Sequence, residues 1–275
     1  MVARSVGLVA AAVAAIALAG CGDSAKPKPT VAAGPKVLHI VFPEGFTRAQ
    51  MAERIDAVRK IAEHRRHVTP RITAAGYLAA TASSRLPGLY AGDGRRRQLE
   101  GFLFPAEYAF YSNETARHFV GRQLTAFRQA FRHVNMSYAR SKNLTRYDVL
   151  IIASMIEREV VVPSERRLVA AVIYKRLHLR MPIGIDAALR YGLDIPPTQS
   201  ITKAELASNS PYNVRKFRGL PPTPIGNPGL ASIQAAAHPA RVGYLYYARE
   251  PDKRHHFFTA SYPAFERFLA AHGYG

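Results

Sequence analysis

At 275 residues, 48% of them hydrophobic and 21% charged, the chain is long enough and apolar enough to bury one sizeable domain plus a small accessory one. Its 38 Lys and Arg against 19 Asp and Glu give a formal net charge of +19, which suits nucleic acid, anionic lipid or an anionic cell-wall polymer. No helix-turn-helix, zinc-finger or RNA-binding signature organises those cations, so a nucleic-acid reader is set aside, and the single cysteine, Cys21, excludes an internal disulfide and argues against a thiolate zinc site.

The N-terminus carries its own signal. Arg4 gives a thin positive start, an apolar and small-residue run fills residues 6–20, and the run closes on "LAGC", the pattern of a lipoprotein signal with Cys21 as the lipidated residue. The run is shorter than the 18 or so residues of a spanning helix. An uncleaved short anchor is the alternative, and either reading exports the domain. Residues 21–36, rich in Pro, Gly and Lys, read as a flexible tether.

Folded structure begins at "KVLHIVFPEGFTRAQMAERI". Residues 37–42 read as a strand, 43–45 as a turn, Thr47 as an N-cap, and Met51, Ile55 and Val58 as a helix stripe. A second helix is expected over 72–83. The segment "RLPGLYAGDGRRR" collects Pro, Gly and charge and marks a boundary, dividing 37–98 from 99–275. Beyond it come an extended segment in "LEGFLFPAEYAFY" and a helix over 114–131. Thr145 and Asp148 then resemble a capping box ahead of the apolar run 149–160. Pro163 ends that helix, and Ser164 is expected to cap the next, whose stripe is Val169, Val172, Ile173 and Leu177. Pro182 and Gly184 break it. Residues 208–229, "SNSPYNVRKFRGLPPTPIGNPG", hold five prolines and three glycines and read as an ordered loop with a function. A short helix over 230–237, a hairpin in "GYLYYAREPDKRHHFFTAS" and a last helix to 273 complete the chain.

Candidate chemistry concentrates on "ASMIEREVVVPSERR". On a helical wheel Ile152, Ala153, Ile156 and Val160 define a buried face, and Glu157 and Glu159 fall roughly 80 degrees to either side of it. Periodicity therefore leaves the two symmetric, and their spacing excludes a dyad with each other. His255 and His256 alternate faces of a strand and cannot ligate one metal together; no acid cluster with ligand spacing surrounds them, so neither metal nor cofactor is expected. Ser154 lacks the glycines of a nucleophile elbow. In the Pro-rich loop, Tyr212 and Asn213 offer an aromatic face and an amide suited to a sugar, and with no Trp in the chain any stacking rests on Tyr and Phe.

"LEGFLFPAEY", "IIASMIEREV…SERRLVAAVIYKRL", "MPIGIDAALRYGL", "SPYNVRKFRGLPPTPIGNPGLASIQAAAHP" and "YLYYAR…HHFF" occur in the order and spacing of the endolytic murein transglycosylases, and residues 99 to about 262 resemble that family. The resemblance implies an α+β fold with a truncated, LysM-like β-turn-helix part over 37–98 and a larger mixed catalytic domain over 99–275. It implies a membrane-tethered enzyme that cuts nascent peptidoglycan glycan strands between MurNAc and GlcNAc on the outer side of the membrane, with peptidoglycan synthases as partners. Glu159 corresponds to the family's catalytic glutamate, and Asp186, Tyr191, Tyr212 and Asn213 match groove positions; Glu157 is expected at the rim, positioning the helix or a polar substrate group. The chain departs from the family pattern at Gly184, Arg215 and Phe265. A peptidoglycan-binding lipoprotein without turnover, and a muramidase using Asp186 as a second carboxylate, are the alternatives.

Overall fold

The computed structural model describes residues 34–82, 84–85, 90 and 96–274. The expected signal segment, Cys21 and the tether as far as residue 33 lie outside the described residues. Pro35–Gly275 forms one compact unit, and the boundary expected near residue 98 falls inside it.

In chain order the elements are β1 (Val37–Val41), α1 (Arg48–Arg66), α2 (Ala74–Ala82), β2 (Ser84–Arg85), β3 (Arg96–Arg97), β4 (Glu107–Tyr111), α3 (Ala116–Arg132), α4 (Ser137–Ser141), α5 (Arg146–Glu159), α6 (Arg166–His178), α7 (Asp186–Gly192), α8 (Lys203–Leu206), α9 (Leu230–Ala237), β5 (Tyr246–Arg249), β6 (His256–Thr259) and α10 (Tyr262–Ala271). This is a mixed α+β fold in which, among the described residues, three small antiparallel sheets pair β1 with β4, β2 with β3 and β5 with β6.

The β1–β4 pair explains why one unit results. Leu38 lies opposite Phe110 and Ile40 opposite Tyr108, so the alternating inward residues of both strands join one core across the expected boundary. Phe42, Tyr77, Tyr108 and Phe119 form an aromatic cluster behind that sheet, with centroids 5.5 to 6.4 Å apart. Arg48, at the first position of α1, fastens α1 to α2 by donating to the Thr81 hydroxyl at 3.0 Å and the Leu78 carbonyl at 3.1 Å.

Local chemistry sets the helix starts. Thr47 with Gln50 and Thr145 with Asp148 form reciprocal capping boxes, and Ser261 caps α10. Ser164 does not cap α6: it sits inside a 3₁₀ turn over Pro163–Glu165, and α6 starts from Glu165 without a side-chain cap, because Pro163 favours a tight turn there. Helix α5 is buried on every side from Val149 to Ile156 and packs on α9, α6 and α7. Among the described residues no helix is long and apolar enough to cross a membrane.

Candidate active site

Glu159 is the last residue of α5, where four carbonyls have no partner within the helix. Arg249 supplies one by donating to the Glu159 carbonyl at 3.2 Å. The side chain is half-buried, and among the described residues its carboxyl meets one hydroxyl, that of Tyr247, 3.4 Å from Oε1. Burial pushes the Glu159 carboxyl above its ordinary value, and the negative charge of Asp186 adds to this; Arg249, His256 and the Tyr247 hydroxyl pull the other way.

The groups around Glu159 come from one face of the β5–β6 hairpin. Its register places Arg249 opposite His256 and Tyr247 opposite Phe258, so all four project to the same side. His255 projects to the other, where Asp252 holds it at the surface. The alternation expected for the two histidines is therefore present, and it buries His256.

Glu157 differs from Glu159 in every contact. Its side chain is only 6% exposed; Oε2 accepts from the Gly229 amide at 3.0 Å, and Oε1 lies 3.7 Å from Arg166. Gly229 is the N-cap of α9, so Glu157 satisfies a free amide at a helix N-terminus. A side chain at Gly229 would collide with the Glu44 carboxyl, which also packs there. Of the two roles expected for Glu157, these contacts are those of a group that positions the helix: its carboxyl is enclosed by the Gly229 amide and Arg166.

Asp186 starts α7 and pairs with Arg215 of the Pro-rich loop at 2.6 Å, both about half exposed. Tyr191, near the end of α7, donates to Glu100 at 3.2 Å, and its ring meets that of Tyr212 edge-on with centroids 5.3 Å apart. Tyr212 reaches the Thr223 hydroxyl at 2.7 Å and packs so closely on Gly192 that a Cβ there would strike its ring. Asn213 is wholly buried, its amide donating to the carbonyls of Leu206 at 2.9 Å and Ser208 at 3.0 Å. From there it shapes the loop from within.

The candidate residues thus fall into two groups. Glu159 and the charge of Asp186 meet the hairpin, whereas Tyr191 and Tyr212 gather around Glu100. Glu100 is 3% exposed and accepts from the Arg48 amide at 3.1 Å and the Asn227 amide at 2.9 Å. Burial pushes its carboxyl up to about 7 against those donors. Ser154 is structural, its hydroxyl accepting from the Ile225 amide at 3.0 Å to seat the Pro-rich loop. Among the described residues no group of three or more His, Cys, Asp and Glu could hold a metal.

Residues 25–271 match the description of the YceG-like family. The chain belongs to that family. It is 28% identical over 258 residues to the endolytic murein transglycosylase of Streptococcus pneumoniae strain ATCC BAA-255 / R6, covering 86% of this chain and 45% of that protein. It is 32% identical over 152 residues to the protein of the same name in Bacillus subtilis strain 168, covering 55% of this chain and 42% of the other. The chain spans less than half the length of these curated relatives. A crystal structure of a YceG-like protein from Listeria monocytogenes superposes with a TM-score of 0.67 at 25% identity, covering 83% of this chain and 75% of that one.

Within the YceG-like fold, sequence reasoning missed Tyr247, Arg249, His256, Glu165 and Glu100. For Glu100 a signal existed, an isolated acid in the apolar stretch "LEGFLF", where burial of the chain carries the carboxyl inside. For the hairpin residues the shared face was readable, but not the element it covers.

Proposed function

We propose that the chain is an endolytic peptidoglycan lytic transglycosylase in which Glu159 serves as acid and then as base. The carrying observation is the condition of its carboxyl: half-buried, raised by burial, and met by one hydroxyl rather than a cation among the described residues. Such a group keeps its proton closer to neutral pH than an exposed glutamate, which a general acid requires. Protonated Glu159 gives its hydrogen to the glycosidic oxygen as the bond from MurNAc C1 breaks. As carboxylate it then takes the hydrogen of the MurNAc C6 hydroxyl, whose oxygen closes onto C1. The nucleophile belongs to the substrate, so its effective concentration is high and no second carboxylate is needed. The curated relatives carry the name of this activity.

A muramidase is the competing reading, because Asp186 is the acid whose charge reaches Glu159. Its pairing with Arg215 at 2.6 Å disfavours it as a base. Mass spectrometry of digested glycan strands decides between them: a transglycosylase leaves 1,6-anhydroMurNAc ends about 18 mass units lighter than the reducing ends of a hydrolase. Reducing ends alone would overturn the assignment, and unchanged strands would favour a binding lipoprotein.

Peptidoglycan glycan strands are the proposed substrate and peptidoglycan synthases the proposed partners, the latter to be checked by co-purification. The signal at 1–20, the tether at 21–36, and a LysM-like part over 37–98 packed with a catalytic part over 99–275 into one compact unit are the proposed organisation, with a lipid on Cys21 holding the protein at the outer face of the membrane. Fatty-acid analogue labelling tests the anchor: label on the parent should vanish in Cys21→Ser, and label that persists refutes it.

A further inference from the structure

Beside Glu159, on the same hairpin face, lies a buried pair that the chemistry above does not use. His256 is 6% exposed, and both oxygens of Glu165 are committed to it. Oε1 accepts from the His256 backbone amide at 3.1 Å, and Oε2 faces ring Nδ1 at 2.7 Å. A carboxylate only accepts, so Nδ1 carries the hydrogen in this contact. The imidazole geometry then turns Nε2 away from Glu165, and Nε2 is buried with no hydrogen-bond partner among the described residues. Leaving a buried polar nitrogen so is destabilising. Phe258, next on this face, shows that an apolar ring fits the hairpin without that cost. Two rings pack on His256: Phe258, with centroids 6.1 Å apart, and nearer to it Tyr247, edge-on with centroids 5.4 Å apart and planes at 83°. Tyr247 is the residue whose hydroxyl meets Glu159.

We propose that Glu165 and His256 are positioning residues for Glu159, acting through Tyr247. The inference rests on the reading of Glu159 as the acid and base. Glu165 fixes the imidazole from two sides, and the imidazole stands edge-on to the phenol ring and limits its tilt. The phenol hydroxyl sits 3.4 Å from Glu159 Oε1, where a few tenths of an ångström decide whether a hydrogen bond forms. The contact strengthens when Glu159 becomes a carboxylate between its two proton transfers. The Tyr247 hydroxyl that the pair holds opposes the rise that burial imposes on Glu159, together with Arg249 from β5 and against Asp186 from α7, so a loosened phenol lets the Glu159 carboxyl rise. Glu165, from the 3₁₀ turn, and Tyr247 and its neighbour on the same face Arg249, both from β5, are the charged and titratable groups that face His256 itself.

The test is a double-mutant cycle on the full chain with His256→Phe, Tyr247→Phe and both together, reading kcat and KM from the release of anhydro ends. His256→Phe should lower kcat about tenfold with KM little changed, and should do nothing further once the Tyr247 hydroxyl is gone, as coupled side chains behave. A carboxyl ¹³C NMR titration, with Glu159 assigned through Glu159→Gln, needs no turnover: in His256→Phe the Glu159 midpoint should rise by about half a pH unit. Equal kcat losses with and without the Tyr247 hydroxyl, or an unmoved Glu159 midpoint, would overturn the inference. If His256→Phe melts the hairpin, His256→Asn, which still donates to Glu165, takes its place in both measurements. A parent that releases no anhydro ends defeats the transglycosylase reading instead, and the titration still decides whether the pair acts on Glu159.

Discussion

Glu157 and Glu159, two residues apart on one helix, have opposite surroundings: one carboxyl is consumed by the Gly229 amide and Arg166, the other meets a phenol in a half-buried position. Glu159→Gln keeps the shape and removes the transferable proton, so activity should fall by about 10²–10⁴ with the melting temperature unchanged. In the parent, activity should also decline as pH rises through the raised value of Glu159, because only the protonated form can start the reaction. Glu157→Gln should behave differently. It leaves an acceptor for Gly229 but strips Arg166 of its partner carboxylate, costing about 1–3 kcal/mol of stability. Specific activity of the folded protein should stay within a few-fold of the parent. A Glu159→Gln protein as active as the parent, or a Glu157→Gln protein equally inactive while fully folded, would reverse the assignment.

At the scale of elements, what was legible in the sequence is what local chemistry determines. Thr145 and Asp148 announced α5, Thr47 announced α1, and the alternating aromatics before and after Pro251 announced the hairpin, since caps and period-2 patterns act over a few residues. Helix α7 was not legible: seven residues following Pro182 and Gly184 are too few to display a period. The wheel could not separate Glu157 from Glu159, because the groups that separate them come from residues 229 and 247, folded onto α5 from far along the chain. The Pro-rich loop was rightly expected to be ordered, yet its two sugar candidates differ. Asn213→Ala abandons the carbonyls of Leu206 and Ser208 in a buried site and should cost about 1–3 kcal/mol, seen as a lower urea midpoint. Tyr212→Ala, at a half-buried position, should instead raise KM for glycan strands with a smaller loss of stability. Unchanged KM in Tyr212→Ala would remove that ring from the groove.

At the scale of the whole molecule, Glu100 is where distant parts of the chain are joined. Its carboxyl accepts from the start of α1 through Arg48, from the Pro-rich loop through Asn227 and from α7 through Tyr191, while Asn227 in turn donates to the Phe46 carbonyl at 2.8 Å. Burial nonetheless outweighs these donors and lifts Glu100 from 4.5 to about 7. The sign of the resulting pH dependence follows. Between those two values the folded protein holds a proton that the unfolded chain has released, so stability falls as pH rises through this window and is fully relieved below it. The shift corresponds to at most about 3 kcal/mol, at 1.36 kcal/mol per pH unit. Glu100→Gln keeps an oxygen for Arg48 and Asn227 and turns its amide toward the Tyr191 hydroxyl, which can accept. Urea midpoints of parent and variant, measured from pH 4 to 8, should therefore diverge: the parent should lose stability relative to Glu100→Gln across pH 4.5 to 7 and run parallel to it above. Glu159, raised in the same direction, is present in both proteins and cancels in the difference. A difference curve that is flat, or that slopes the other way, would mean that Glu100 is ionised throughout and that its donors, rather than its burial, set its charge.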